Sequence, residues 1–252
     1  MPTSTIEYHI VKPEPALASF VESYWMLVNH SAEPQEIVVL PDGRVDLFFS
    51  LSASQPYHVT LMGLDTDAGQ TTFVPGTRMF AVSFKLPAIE YLLKINIAPY
   101  LNSAHQLPLD FWGLSAADLQ DFDGFCKKVS DIMMRLLDQE TDERKLQLFD
   151  LIYSSNGSIT VKELSAKIFW NSRQINRYFN QWFGISLKAY CNILRFRASF
   201  QQVKEGKLFP EESYADQSHF IKEVKKHAGV APSALSRNEN DRFIQFSLLK
   251  KK

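Results

Sequence analysis

The sequence predicts an α+β protein in which a β-rich N-terminal part precedes an all-α C-terminal part. Short β-branched and aromatic runs, broken by turn residues, fill residues 1–110, whereas helix-spaced apolar residues dominate from Ser115 onward. The charge divides in the same way. Residues 151–252 hold 17 Lys and Arg against 8 Asp and Glu, and residues 1–150 hold 10 against 20. A basic half joined to an acidic half indicates a polyanionic partner for the basic half alone.

Five runs in the acidic half predict β-strands. They are residues 36–40, 44–51, 58–64, 70–74 and 79–86. The first two are separated by Pro41, Asp42 and Gly43. Because proline presets φ for a turn and glycine accepts positive φ, this tripeptide predicts a β-hairpin.

Helices are predicted after the strands. The spacing of apolar residues predicts a helix within residues 87–100, a second from Ser115 to about residue 138, and a third over 146–153. The second helix carries one apolar stripe, formed by Phe122, Phe125, Val129, Ile132, Met133 and Leu136. This stripe either packs on its own domain or forms a dimer interface. We place the domain boundary within residues 138–158, which gives domains of residues 1–145 and 150–247.

Two capping boxes mark the start of the basic half, Thr160-x-x-Glu163 and Asn171-x-x-Gln174. In the helix after the second box, an apolar stripe predicts the buried side. It consists of Ile175, Tyr178, Phe179 and Trp182. Gly184 ends this helix. Two capped helices joined by a tight turn form a helix-turn-helix, whose second helix can lie in the major groove of DNA.

The opposite side of that second helix carries Arg173, Gln174, Arg177 and Gln181. Arginine can bond guanine through two parallel hydrogen bonds, and glutamine can do so with adenine. The alternative is an ordinary solvated helix surface. Further along, Ser186 caps a long helix, and Asp216 caps a helix that contains Phe220 and Val224.

Several motifs recur in a fixed order over residues 158–237. They are Arg177-Tyr-Phe179, Gly184-Ile-Ser186, Tyr190 with Arg195, Asp216-Gln-Ser-His-Phe220 and Gly229-Val-Ala-Pro232. In combination they resemble the AraC/XylS-type transcriptional regulators. The resemblance implies a seven-helix DNA-binding domain with two helix-turn-helix units, which are joined by a long helix and enter successive major grooves.

The resemblance also implies the DNA-contacting residues, carried over by motif position. The first recognition helix would present Arg173, Gln174, Asn176 and Arg177. The second would present Gln217, Ser218, His219 and Lys222.

The second unit departs from the family pattern. The chain from Ser199 to Tyr214 is shorter than usual, and Leu208-Phe-Pro210-Glu-Glu212 replaces the usual helix. We therefore expect the first helix of this unit to be truncated or irregular. Glu211 and Glu212 add negative charge near the expected phosphate path. Lys222 replaces the usual arginine and cannot form its two-pronged hydrogen bond.

The acidic half shows a second resemblance, carried by LPDGRVDLFF (residues 40–49) and Gly76-Thr-Arg78. It is similar to an N-terminal domain that precedes the DNA-binding domain in some AraC-type regulators. This implies a cupin-like, β-rich domain with flanking helices that binds a small effector or assists dimerisation. Four residues are candidates for an effector pocket, namely Asp42, Arg44, Asp46 and Arg78. Alternatively, Asp42 serves the turn and the others are structural charges.

Enzymatic chemistry is not predicted. His9, His30, His58 and His105 lack metal-ligand spacing, and the nucleophile-elbow, Walker and dinucleotide-binding motifs are missing. Cys126 and Cys191 lie in apolar helical patterns typical of inert buried thiols, and His227 is expected at the surface. We expect no cofactor and no metal. With no membrane-length apolar run and no signal peptide, we expect a cytoplasmic protein that does not contact the membrane.

We therefore expect a sequence-specific transcription regulator that binds double-stranded DNA as a homodimer, with RNA polymerase and a small-molecule effector as further candidate partners. Three alternatives stay open. The basic half could bind DNA or RNA without sequence preference. The acidic half could be a small-molecule enzyme fused to a DNA-binding module. The β-rich domain could instead dock partners without binding any effector.

Overall fold

The computed structural model of the protein describes residues 6–137, 141–209 and 214–248. The chain divides into two compact units. The sheet unit comprises the described residues of Met1–Gln35, Arg44–Gly63 and Thr72–Leu146. The helical unit comprises those of Gln147–Lys252 together with two upstream segments, Glu36–Gly43 and Leu64–Thr71. The predicted α+β class, β-rich first and helical second, is confirmed.

The strands form one six-stranded sheet and one two-stranded sheet. They are β1 (Ile6–Val11), β2 (Val21–Asn29), β3 (Gln35–Val39), β4 (Val45–Leu51), β5 (His58–Met62), β6 (Gly69–Phe73), β7 (Arg78–Phe84) and β8 (Ala104–Leu107). The large sheet has the order β1-β2-β7-β4-β5-β8, and each neighbouring pair in this order is antiparallel. The small sheet pairs β3 with β6.

All five predicted strands are present, with ends shifted by a few residues, but the predicted hairpin is wrong. β3 pairs with β6, whereas β4 pairs with β5 and β7. Gly43 does adopt the expected positive φ, at 74°. The physical reason for the different pairing is the burial of Val38 and Leu40 among helices of the helical unit, which a local turn signal cannot reveal.

The predicted helix at Ser115 is split in two. Ser115 forms a capping box, but this box begins a 3-10 turn, Ala116–Gln120, and helix α1 (Phe122–Leu136) follows it. Within residues 87–100 the chain forms a π-helical turn, Ile89–Leu93, and a 3-10 turn, Ala98–Tyr100, rather than one continuous helix.

The apolar stripe of α1 packs within the sheet unit. Phe125 lies 5.5 Å from Phe49 and 5.4 Å from Phe80, measured between ring centroids. The hydroxyl groups of Tyr24 and Ser130 are hydrogen bonded at 2.8 Å. Four stripe residues are buried, whereas Ile132 and Leu136 are half-buried. The buried face of α1 is therefore occupied by its own unit, and the homodimer stays a prediction.

In the part of the chain that the structure describes, eight helices follow α1. They are α2 (Glu143–Ser154), α3 (Val161–Ile168), α4 (Ser172–Phe183), α5 (Leu187–Ala198), α6 (Phe200–Lys204), α7 (Gln217–Ala228), α8 (Pro232–Arg237) and α9 (Ile244–Leu248). Only Ser199 separates α5 from α6, and its backbone is also helical (φ −78°, ψ −8°), so the two helices nearly form one long helix. Among the described residues no helix combines the length and apolar character that crossing a membrane requires.

The core of the helical unit includes side chains from both ends of the sequence. Val38 and Leu40 are buried in one cluster with residues of α5 to α8 and with Phe243 and Phe246. The Leu40 N–H donates to Gln245 Oε1 (3.1 Å), and Gln245 Nε2 donates to the Leu40 carbonyl (2.9 Å). The upstream segment is thus an integral part of the helical core.

The two cysteines are buried free thiols, as the apolar helical pattern predicted. Burial raises the pKa of the Cys126 thiol to about 12 and that of the Cys191 thiol to about 11. Since the thiolate is the reactive form, both side chains are unreactive near neutral pH.

Leu40→Ala should lower the free energy of unfolding by about 2–5 kcal/mol, because it leaves a cavity in the core of the helical unit. Leu40 is 2% exposed, whereas Leu109, the matched control, is 59% exposed. Leu109→Ala should change stability by no more than about 0.5 kcal/mol. Urea unfolding of the full chain measures both effects. Equal small losses for the two variants would show that residues 36–43 do not belong to the core.

Candidate nucleic-acid interface

The first predicted helix-turn-helix is formed by α3 and α4, and its first capping box is present. Glu163 N–H donates to Thr160 Oγ1 (3.2 Å), and Thr160 N–H donates to Glu163 Oε2 (2.8 Å). These bonds from the Thr160 backbone and hydroxyl lower the pKa of the Glu163 carboxyl. Leu164 and Ile168 are fully buried, so α3 is anchored on its apolar side.

The second capping box is also present and begins α4. Gln174 N–H donates to Asn171 Oδ1, and Asn171 N–H donates to Gln174 Oε1, both at 2.9 Å. Gly184 ends the helix with φ 71°, in the left-handed region, as predicted. The position of α4 along the chain is therefore set by local backbone chemistry.

The inward face of α4 largely follows the predicted stripe. Ile175, Tyr178 and Phe179 are buried, but Trp182 is only half-buried. Phe183 is fully buried in its place, with its ring 5.4 Å from that of Phe179. Phe183 lies eight residues after Ile175, where a 3.6-residue period returns to the same face.

The turn between α3 and α4 is held by side-chain contacts. Ser165 Oγ donates to the Trp170 carbonyl (2.6 Å), and the Trp170 ring packs edge-on against Tyr178 at 5.7 Å. Phe169, which ends α3, adopts φ 57° and ψ 28°. This left-handed conformation is rare for a residue with a bulky side chain. The left-handed backbone of Phe169 lets the chain turn from α3 into α4 within two residues, Phe169 and Trp170.

The four candidate residues of α4 differ in how available their side chains are. Arg173, Gln174 and Arg177 are exposed, and Asn176 is half-buried. Gln174 already uses its side-chain oxygen in the capping box, and Asn176 Nδ2 donates to the Ser172 carbonyl (3.0 Å). The two arginines are therefore the α4 candidates whose guanidinium groups extend into solvent.

The first helix of the second unit, which we expect to be truncated or irregular, falls on a segment that the structure describes only in part. Between α6 and α7, residues 205–209 and 214–216 contain no helix. Pro210, Glu211 and Glu212, to which we assigned the departure from the family pattern, lie outside the described residues.

Helix α7, the candidate for the second recognition helix, is capped as predicted, since His219 N–H donates to Asp216 Oδ1 (2.8 Å). Gln217, Ser218 and Lys222 are exposed on this helix. His219 is half-buried, and its ring packs edge-on against Tyr214 at 5.7 Å. The imidazole of His219 therefore has a structural contact next to its proposed contact with DNA.

His227 contradicts the expectation of a surface group, because it is 1% exposed. Its Nδ1 is hydrogen bonded to the Thr66 carbonyl at 2.6 Å, and its ring packs against Phe196 at 5.3 Å. Helix α7 is thereby attached to the upstream segment 64–71. The sequence offers no local signal for this contact, because its two partners are 161 residues apart.

The four candidate effector residues are not gathered into one site. Arg44 is buried and paired with Glu22 (3.0 Å), and Arg78 Nη1 donates to the Leu119 carbonyl (3.0 Å). Asp46 and Arg78 lie near opposite ends of the β4–β7 ladder. Five residue steps of about 3.3 Å separate these positions, which is about 17 Å.

Asp42 belongs instead to the helical unit, where its carboxylate lies 3.8 Å from Arg197 Nε. The structure therefore gives three of the candidates, Asp42, Arg44 and Arg78, a contact of their own, and effector binding stays a prediction. The described residues contain no group of three or more His, Cys, Asp or Glu side chains that could hold a metal ion.

Asp65, in the upstream segment 64–71, is a charged group that sequence reasoning did not single out. Burial raises the pKa of the Asp65 carboxyl to about 6, with further contributions from the negative charges of Asp42 and Asp67. Above about pH 6 this carboxyl is ionised, and its charge destabilises the folded helical unit.

Comparison with known proteins gives one matching family model and several similar solved structures. The family model described as "Domain of unknown function (DUF6597)" matches residues 9–106. No curated protein sequence matches the chain. Among solved structures, the chain is similar to ToxT from Vibrio cholerae O395, with 11% identity and a TM-score of 0.45 over 93% of this chain and 98% of that chain.

A second ToxT structure from the same strain, bound to (E)-4-(8-methylnaphthalen-1-yl)but-3-enoic acid, has 10% identity and a TM-score of 0.47. The similarity covers 93% of this chain and 99% of that chain.

Asp65→Asn should stabilise the protein at pH 7.5 and leave its stability at pH 4 nearly unchanged. A carboxyl whose pKa is raised on folding contributes stability below its unfolded pKa of about 4, and this contribution is lost as the pH rises through about 6. At about 1.4 kcal/mol per pKa unit, the gain at pH 7.5 should be about 1–3 kcal/mol.

Urea unfolding at both pH values measures this difference. The matched control is Asp131→Asn, because Asp131 is exposed on α1. It should shift stability by less than about 0.5 kcal/mol at either pH. A lower stability of Asp65→Asn than of the original protein at pH 7.5 would contradict the conclusion that burial and neighbouring negative charges disfavour the ionised Asp65 carboxyl.

Proposed function

We propose that the chain is a sequence-specific DNA-binding transcription regulator of AraC type. One observation carries the proposal. Two helices, α4 and α7, have side-chain N-caps, exposed polar or cationic side chains in and just after their first turns, and no acidic residue in those first turns. At α4, whose N-cap Asn171 is uncharged, the positive end of the helix dipole therefore adds to the charge of the arginines, and such an arrangement attracts a phosphate backbone. At α7 the carboxylate of the N-cap Asp216 offsets part of the dipole, so the attraction there is weaker.

The two exposed arginines of α4 supply the base-reading chemistry. Arg173 and Arg177 lie four residues apart, on one face of the helix. Each guanidinium can bond O6 and N7 of a guanine at once. The helix is fixed by its capping box and by buried Ile175 and Phe179, so the arginines project from a rigid support.

Gln174 and Asn176 have narrower roles in this proposal. An adenine contact through two hydrogen bonds uses both the oxygen and the nitrogen of an amide side chain. Gln174 Oε1 is occupied by Asn171 N–H, and Asn176 Nδ2 by the Ser172 carbonyl. One lone pair of the Gln174 oxygen and one hydrogen of the Asn176 nitrogen are thus already used, and each amide is held in place by its backbone partner. We therefore assign both residues auxiliary contacts, whereas the arginines select bases.

Helix α7 contributes a second, weaker contact. Gln217 can read a base edge, Ser218 can bond a phosphate or a base, and Lys222 neutralises a phosphate. His219 is retained as a contact of this helix, with its ring held against Tyr214. We propose that α4 and α7 occupy successive major grooves, with α4 providing most of the selectivity.

The remaining assignments follow from this proposal. Residues 150–247 form the DNA-binding domain, and residues 1–145 form a regulatory domain that senses a small effector or mediates dimerisation. The regulator acts in the cytoplasm as a homodimer, without enzymatic activity, and RNA polymerase is a further candidate partner. Asp42, Arg44, Asp46 and Arg78 stay the candidate effector residues.

Arg173→Ala and Arg177→Ala should each weaken binding to the selected duplex by about 1–3 kcal/mol and relax base preference at one position. Fluorescence anisotropy on a duplex selected by the purified chain measures this. Arg144→Ala is the matched control, because Arg144 is exposed and paired with Asp142 outside the helical unit. Equal losses on selected and random duplexes would show that the arginines contact only phosphates.

Affinity for the selected duplex should fall steeply with salt. Neutralising about six phosphates gives a slope near −5 in a plot of log affinity against log salt concentration. Lys222→Ala should reduce this slope by about 1, with similar losses on all duplexes. Lys12→Ala, an exposed lysine of the sheet unit, should leave it unchanged. A slope near zero would contradict phosphate binding.

A further inference from the structure

Phe169 combines an exposed apolar ring with a left-handed backbone at the turn between α3 and α4. Phe169 is 88% exposed, more than any other large apolar residue in the described part of the chain. Its backbone has φ 57° and ψ 28°, a conformation that costs a residue with a Cβ atom about 1–2 kcal/mol and that glycine adopts freely. An exposed ring in a strained backbone contributes little to folding, and such strain clusters at functional positions.

The strain cannot be relieved by a small local shift. Residue 168 on one side is fully buried, and Trp170 on the other side is fixed by the Ser165 hydroxyl and by the ring of Tyr178. Phe169 is therefore held rigidly between α3 and the N-cap of α4. It lies two residues before Asn171, at the end of α4 that carries the proposed base-reading residues.

The surroundings of the ring favour duplex DNA over a protein partner. Lys167 and Arg173 are exposed on either side of Phe169 in the sequence. Protein interfaces bury about 800 Å² per partner around a core depleted of charge, which a single ring flanked by cations does not provide. Duplex DNA supplies both complements, namely phosphates for the cations and the C5-methyl group of thymine for an aromatic ring.

We propose that Phe169 is a DNA-contacting residue that packs against the C5-methyl group of a thymine at the edge of the site read by α4. This proposal rests on the proposed function. The ring selects thymine by shape and apolar contact, and it adds specificity that the arginines, which recognise guanine, do not supply. The strained backbone of Phe169 costs free energy in the protein without DNA. The contact with thymine offsets this cost when DNA is bound, because the contact forms only then.

The test uses the full chain and compares Phe169→Gly and Phe169→Asn with the original protein. Both replacements accept the left-handed conformation, and asparagine also keeps the turn from gaining the flexibility of glycine. Fluorescence anisotropy at about 150 mM salt measures binding to the selected duplex. A second set of duplexes carries deoxyuridine, which lacks the methyl group, in place of each thymine in turn.

We expect both variants to bind the selected duplex about 5- to 30-fold more weakly, an effect of the size of one good base contact. At one thymine, the deoxyuridine duplex should weaken binding by the original protein, and the variants should lose nothing further there. The urea midpoint of Phe169→Gly should rise, because the strain is removed.

Three outcomes would overturn the proposal. They are unchanged binding by both variants, deoxyuridine effects that are additive with Phe169→Gly at every thymine, and a lower urea midpoint for Phe169→Gly. The first two show that the ring does not contact a thymine methyl, and the third shows that it supports the fold. If the arginine variants keep their selective losses in the same assay, only the Phe169 contact fails. If those losses also disappear, the proposed function itself fails.

Discussion

Burial of the upstream segment 36–43 in the helical unit is the constraint on which the rest of that unit depends. Val38 and Leu40 complete a core that α5 to α8 share. The backbone of this segment is also satisfied there, because the Val38 N–H donates to the Arg242 carbonyl (2.7 Å) and Tyr190 donates its hydroxyl hydrogen to the Gly43 carbonyl (3.0 Å). A buried backbone left without these partners would be costly. Helix α7, which carries candidate DNA contacts, is therefore supported by residues far upstream.

Elements governed by local chemistry were predictable from the sequence. The two capping boxes fix where α3 and α4 begin, and Gly184 fixes where α4 ends. Strand pairing was not predictable in the same way. Pro41, Asp42 and Gly43 have the composition of a hairpin turn, but the apolar side chains before them gain more by entering a core built from residues 150 positions later. His227 became a buried residue for the same reason.

The candidate interface was also predictable in part. Residue type and spacing identified Arg173 and Arg177, because long cationic side chains opposite an apolar stripe extend into solvent. Residue type and spacing could not show that the side chains of Gln174 and Asn176 form hydrogen bonds with the backbone at the start of α4. The amide atoms that form these bonds are the same atoms that would read a base. Only Phe169 and Trp170 separate α3 from Asn171, the N-cap of α4. A chain reversal over so few residues is typical of a left-handed backbone conformation, which the spacing of the two helices could have predicted.

The bond between Leu40 and Gln245 spans 205 residues, which has a consequence for biosynthesis. At about 5–20 residues per second, a ribosome needs about 10–40 s to add the residues that separate these two partners. During that interval the nascent chain carries an apolar segment whose core neighbours, from Phe196 to Phe246, are only being added. The helical unit therefore cannot complete its core until Gln245 has been synthesised, and until then the buried face of the segment stays open to other contacts.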